Sequence, residues 1–214
     1  MLCYARGLMT PMFRSLAIVS FAAVAACLSS CTAIKTSKVN YGKDFDPPAH
    51  RPTNPSAVKV KVSTGAQRVY VMEGSKVLLA TPCSVGTGGS TGSGNYSITS
   101  KQARKRRVSS PGAGYPMAYW MEWKSAYGMH WGFVKPYPCT HGCIRMPMKS
   151  AAKIFSMVRV GTPLNIASSQ PEDKTIGATL PVIDDSTLPD PPNSYLNSSQ
   201  FFADAEYKGK MFVD

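Results

Sequence analysis

Within Thr140-His141-Gly142-Cys143-Ile144-Arg145 the chain places a thiol, an imidazole, two consecutive backbone N–H groups and a fixed cation, and a second imidazole, His130, lies thirteen residues before the cysteine. Cysteine attacks as its thiolate, which needs a neighbouring base or a positive field. His130 and His141 are the candidate bases, and the N–H groups of Gly142 and Cys143 are candidate donors to an oxyanion. Arg145 keeps its charge and forks onto carboxylates. These residue types at this spacing point to acyl transfer on a substrate that carries a carboxylate.

Two other readings of the same side chains are weaker. Cys139, His141, Cys143 and His130 are zinc-ligand types, but a Cys-x-His-x-Cys spacing is unusual for zinc and Arg145 suits an anion better than a cation. No metal and no cofactor is expected. Papain-type peptidases place cysteine before histidine; here the histidine comes first.

The front of the chain locates the chemistry. Arg6 and Arg14 give a positive start, no acidic residue precedes Asp44, and Leu16 to Cys27 is an apolar run. At roughly a dozen residues that run is shorter than the ~20 of a membrane span. Leu28-Ser29-Ser30-Cys31 resembles a bacterial lipobox, which makes Cys31 the candidate lipidated residue, with Cys27 second and plain secretory cleavage the alternative. Residues 1–31 therefore read as a signal peptide with a lipobox. The expected location is the periplasmic side of the cell envelope, with an N-terminal lipid as the membrane partner.

Residues 32–56 are polar and carry Pro47, Pro48, Pro52 and Pro55, and read as a tether. Residues 57–168 are long enough for one domain with its own core. Val58, Val60 and Val62 alternate with Lys59, Lys61 and Ser63, the pattern of a half-buried strand. Arg68 to Met72 and Lys76 to Ala80 flank Glu73-Gly74-Ser75 as a hairpin. Residues 87–94 read as a Gly/Ser/Thr-rich loop, and Met117 to Trp123 and Met129 to Val134 as aromatic-rich strands. A helix is expected from an N-cap at Ser150, with Ala151, Ile154, Phe155 and Val158 on its apolar face and Gly161 as its stop. Pro163 to Ala167 returns to strand. The fold class is α+β, mainly β, with one helix after the cysteine motif.

Charge is divided unevenly in a chain of net +12. Residues 171–214 carry eight acidic and three basic residues with five prolines, so 169–214 reads as an acidic, disordered tail, with folding back onto the basic face as a further expectation. Lys101 to Arg107 is the densest basic run. A solvated loop and attraction to anionic envelope polymers are its two readings. Nucleic acid is not expected as a partner, because an exported protein seldom meets it and no aromatic residue interleaves the run. Cys83 and Cys139 admit a disulfide in an oxidising compartment, or Cys139 merely packs beside the site.

With these residues in view, the chain resembles the L,D-transpeptidase catalytic-domain family (YkuD-like), short-loop type. Val85-Gly86-Thr87-Gly88, Thr91-Gly92-Ser93-Gly94-Asn95-Tyr96-Ser97-Ile98, Met129-His130, Thr140 to Met146 and Gly161 to Ile166 match its motifs in order. Gly92 stands where proline is usual, Trp131 where glycine is frequent, and Cys139 replaces a small residue. The resemblance implies a YkuD-like β-rich domain acting on peptidoglycan stem peptides. Cys143 would attack the bond before D-Ala at position four, and His130 would take the thiol proton while the carbonyl of Trp131 orients its ring. A second stem's amine would then resolve the thioester as a cross-link. Arg145 would bind a substrate carboxylate, Thr140 would contact substrate, His141 would support the loop or contact substrate, and Tyr119 would lie near the oxyanion and contact substrate. An L,D-carboxypeptidase, a protein-to-peptidoglycan transferase and a non-catalytic envelope-binding lipoprotein remain as alternatives.

Overall fold

In the computed structural model, residues 40–107 and 114–214 are described. The signal peptide, Cys27 and Cys31 lie outside them. Among the described residues no helix is long and apolar enough to cross a membrane.

Two sheets hold the domain. The first uses β1 (Val58–Ser63), β2 (Arg68–Glu73), β3 (Lys76–Pro82), β4 (Gly94–Ser97) and β9 (Pro163–Ala167) in the order β3-β2-β1-β9-β4. The second uses β5 (Ser100–Arg106), β6 (Pro116–Lys124), β7 (Tyr127–Trp131) and β8 (Ile144–Met146) in chain order. The valines of β1 point inward, as their alternation predicts, and Gly74 turns the β2–β3 hairpin at φ +60°. Between the sheets, Val60, Val62, Val71, Met121, Met129 and Trp131 meet Ile154 of helix α1 (Met148–Met157) in one core.

Helix α1 starts earlier than its expected cap at Ser150. The Ser150 hydroxyl is buried and pairs with Thr81 Oγ1 at 2.8 Å instead. The basic run is not a solvated loop but the edge strand β5. Lys101 Nζ donates to Phe155 O in the last turn of α1 and to Val158 O just beyond it, at 2.7 and 2.5 Å, where a cation also complements the helix dipole.

The acidic segment expected as a disordered tail is packed on the domain. It forms a turn at Pro171–Lys174 and the short helices α2 (Ile176–Thr179), α3 (Asn193–Leu196) and α4 (Gln200–Asp204). Phe201 is fully buried, and Leu196, Phe202 and Ala205 join the main core. Arg106 binds Leu196 O and Ser198 O at 2.7 Å each, and Lys61 pairs with Glu172 at 2.7 Å. The segment is thus held by apolar burial and by cations on its carbonyls more than by charge neutralisation.

The described part of the expected tether is packed as well. Ala49 is fully buried, Lys153 Nζ donates to Pro47 O at 2.7 Å, and Lys153 pairs with Asp46 at 2.6 Å. Cys83 and Cys139 are free thiols, with Cys83 buried; no disulfide joins them.

Candidate active site

Strands β7 and β8 run parallel, with His130 directly opposite Arg145. Cys143 immediately precedes β8, so the thiol, the imidazole and the guanidinium come from two adjacent strand ends. His130 Nδ1 is hydrogen-bonded to the carbonyl of Trp131 at 2.5 Å. A carbonyl only accepts, so Nδ1 carries the proton and Nε2 is left as the acceptor. Trp131 itself is a core residue whose indole donates to Tyr41 O at 2.9 Å. The Cys143 thiol donates to Ala126 O at 3.8 Å rather than to the imidazole, and the Gly128 N–H favours its thiolate.

A hydroxyl fixes the turn that carries the thiol. Thr140 is buried; its Oγ1 accepts from Gly142 N at 3.1 Å and donates to Cys143 O at 2.6 Å. Of the two amides expected at an oxyanion, Gly142 N–H is therefore engaged within the turn. Among the described residues the Cys143 N–H has no partner. Behind the turn, Thr91 Oγ1 accepts from Gly86 N at 2.7 Å and donates to Gly142 O at 3.0 Å. The glycine-turn and Thr91 segments thus serve as the back wall of the cysteine loop.

Gly142 has φ +133°, and a Cβ there would lie 2.2 Å from Tyr127 Cε1. The ring of Tyr127 closes over the turn only because that position has no side chain.

Tyr119 departs from its expected place. Its hydroxyl donates to Ala205 O at 3.1 Å and accepts from Tyr207 N at 2.9 Å, and its ring meets Phe155 edge-on. It secures the C-terminal segment instead of an oxyanion. Its φ of +59° shifts the alternation of β6, so that Trp120 and Met121 are both buried. Met121 then enters the core while Trp120 turns to His130, with ring centroids 5.6 Å apart. His141 is exposed and makes no loop-supporting hydrogen bond among the described residues. Trp120, Ala126 and Gly128 escaped the sequence reading, and Thr91 was read only as part of a motif; among the three, only the glycine and the left-handed Ala126, φ +63°, lie at a turn-prone position that could have flagged them.

Electrostatics set the resting state. Burial lowers the His130 pKa to about 4, with Arg145 acting in the same direction against the Trp131 hydrogen bond. Burial raises the Cys143 thiol above its usual value, opposed by the Gly128 N–H and by Arg145. At neutral pH the pair is thiol and neutral imidazole, and the thiolate forms as substrate is attacked. Unfolded His130 titrates near 6.5 and folded His130 near 4. Between these values the unfolded chain holds more protons, so stability is full above pH 6.5 and falls as pH drops toward 4. Urea midpoints at pH 7 and pH 5 are expected to differ more for the wild type than for His130→Gln; equal losses would mean that His130 is not buried neutral.

A model of the YkuD L,D-transpeptidase catalytic domain matches residues 57–166. The chain belongs to this L,D-transpeptidase catalytic-domain family. Solved structures similar to it include an L,D-transpeptidase from Stackebrandtia nassauensis (20% identity, TM-score 0.48, covering 57% of this chain and 60% of that one). Another is residues 123–326 of the Xylanimonas cellulosilytica DSM 15894 enzyme (18%, TM-score 0.47, 55% and 63%). A third is Mycobacterium tuberculosis L,D-transpeptidase 1 (26%, TM-score 0.44, 51% and 61%). The chain thus spans about three fifths of the length of these structures. No curated protein matches it.

Proposed function

We propose that the protein is an exported L,D-transpeptidase, lipid-anchored through Cys31, that cross-links peptidoglycan stem peptides from the periplasmic side. The observation that carries this reading is the pairing of His130, its Nδ1 held by the Trp131 carbonyl, with Arg145 on the strand that Cys143 leads. Cys143 Sγ attacks the amide carbonyl before D-Ala; His130 Nε2 takes the thiol proton and delivers it to the departing amine. The C–N bond breaks as the thioester forms. The Cys143 N–H stabilises the tetrahedral oxyanion, and the guanidinium of Arg145, which has no ion-pair partner among the described residues, binds a substrate carboxylate. An amine from a second stem then displaces the thiol. His141, exposed on the motif, contacts the substrate.

Detergent-solubilised full-length protein incubated with tetrapeptide muropeptides tests this reading. Mass spectrometry is expected to find loss of one D-Ala together with dimers, both absent for Cys143→Ala. Tripeptide monomers alone would make water the acceptor, and unchanged masses would remove the acyl-transfer reading.

A further inference from the structure

The face of β6 that carries Trp120 holds one more ionisable group, Glu122, outside the recognised motif. Glu122 lies opposite Gly128 of β7, the residue whose N–H faces the Cys143 sulfur. Its Oε2 accepts from Trp120 Nε1 at 3.0 Å. The Trp120 indole packs against Gly128, where a Cβ would come within 2.6 Å of the ring, and its centroid lies 5.6 Å from that of His130 with the rings tilted by 31°. One aromatic floor therefore fixes the Glu122 carboxylate and borders the imidazole.

The carboxylate is half-buried, and among the described residues it has no cationic partner. Two basic side chains lie over neighbouring rings, Lys105 and Lys124, the latter with its Nζ 5.0 Å from the Tyr127 centroid and without an ion pair to Glu122. Lys105 Nζ sits 5.1 Å from the Trp120 ring centroid and forms no ion pair with Glu122 either. A negative charge beside a thiol that must ionise opposes the first half of an acyl transfer, and Glu122 does push the Cys143 thiol up. Its use lies in the second half, when the thiol is masked as a thioester and the arriving nucleophile is an ammonium.

We propose that Glu122 is the acceptor-binding carboxylate of this site, holding the incoming ammonium beside the thioester and so setting the ratio of amide formation to hydrolysis. The inference rests on the acyl-transfer reading above. The bound ammonium sheds one proton to solvent, and its nitrogen attacks the thioester carbonyl. The C–N bond forms and the C–S bond breaks. The nitrogen's second surplus proton passes through His130 Nε2 to the sulfur, restoring the Cys143 thiol. Among the described residues Glu122 and Arg145 together offer an unpaired carboxylate and an unpaired guanidinium, which suits an acceptor bearing both an ammonium and a carboxylate.

Glu122→Gln removes the charge and keeps an oxygen for Trp120 Nε1. With tetrapeptide donor and glycine as a defined ammonium acceptor, the variant is expected to form acyl-enzyme at least as fast as wild type by intact-mass spectrometry. Its ratio of amide product to tripeptide is expected to fall about tenfold, the usual scale for losing a hydrogen bond to a charged group. With hydroxylamine, uncharged at neutral pH, the ratio is expected to hold. An unchanged ratio with glycine, or an equal fall with both nucleophiles, overturns the proposal. If the wild type forms no acyl-enzyme and releases no D-Ala, the acyl-transfer reading falls and this inference with it.

Discussion

Truncation after Ser168 is expected to abolish cooperative unfolding rather than to trim a tail. The fragment would lose Phe201, fully buried, and Phe202, and would uncover Trp131, which packs on Phe201 with ring centroids 4.9 Å apart. Burying one such side chain is worth about 1.5–3 kcal/mol, so the two phenylalanines and the exposed indole approach the ~5–15 kcal/mol that holds a domain. A polar clamp goes as well. Asp185, buried, accepts from Val134 N and Lys43 N at 2.8 Å each, and its removal frees the loop that joins His130 to Cys143. Urea titration followed by tryptophan fluorescence measures this. A fragment with the full-length midpoint would make the segment a passenger, whereas Phe201→Ala alone is expected to cost about 3–5 kcal/mol.

Gly142→Ala is expected to lower the rate of acyl-enzyme formation by about a hundredfold or more, because misplacing a reacting group by about 1 Å costs that much. The new methyl would meet Tyr127 Cε1 at 2.2 Å, and φ +133° is a conformation that L side chains rarely adopt. The turn must shift, and with it the Thr140 Oγ1 bond to Cys143 O that fixes the nucleophile. Adding Tyr127→Ser relieves the clash and leaves the backbone strain, so the double variant is expected to recover only part of the rate. Stopped-quench intact-mass measurements on both variants decide this; a single variant with wild-type rates would show that the turn does not position the sulfur.

Much of this was readable from local pattern. The β1 alternation, the Glu73-Gly74-Ser75 turn and the α1 apolar face each depend on neighbours a few residues away, and each stands in the structure. What escaped depends on distant partners. The cations of β5 read as solvated until Lys101 is seen on the end of α1 and Arg106 on the carbonyls of residues 196 and 198. Leu196, Phe201 and Phe202 are too widely spaced in a polar, proline-rich segment to announce a buried surface. Ser150 had the residue type of a cap but was drawn to Thr81. Gly142 N–H was expected at the oxyanion and Tyr119 beside it; a threonine hydroxyl claims the first, and the C-terminal segment claims the second.

Strand β5 hydrogen-bonds to β6 alone within its sheet, so it presents an open row of backbone groups of the kind that recruits a second chain. Four of its seven residues are lysine or arginine. Two copies meeting edge to edge would confront these cations with one another, and the repulsion would oppose that pairing at low ionic strength. Salt shortens its reach to about 10 Å at 0.1 M. A polyanion lying along the strand would cancel the same charges, so binding such a polymer and losing the guard against self-assembly are one electrostatic event.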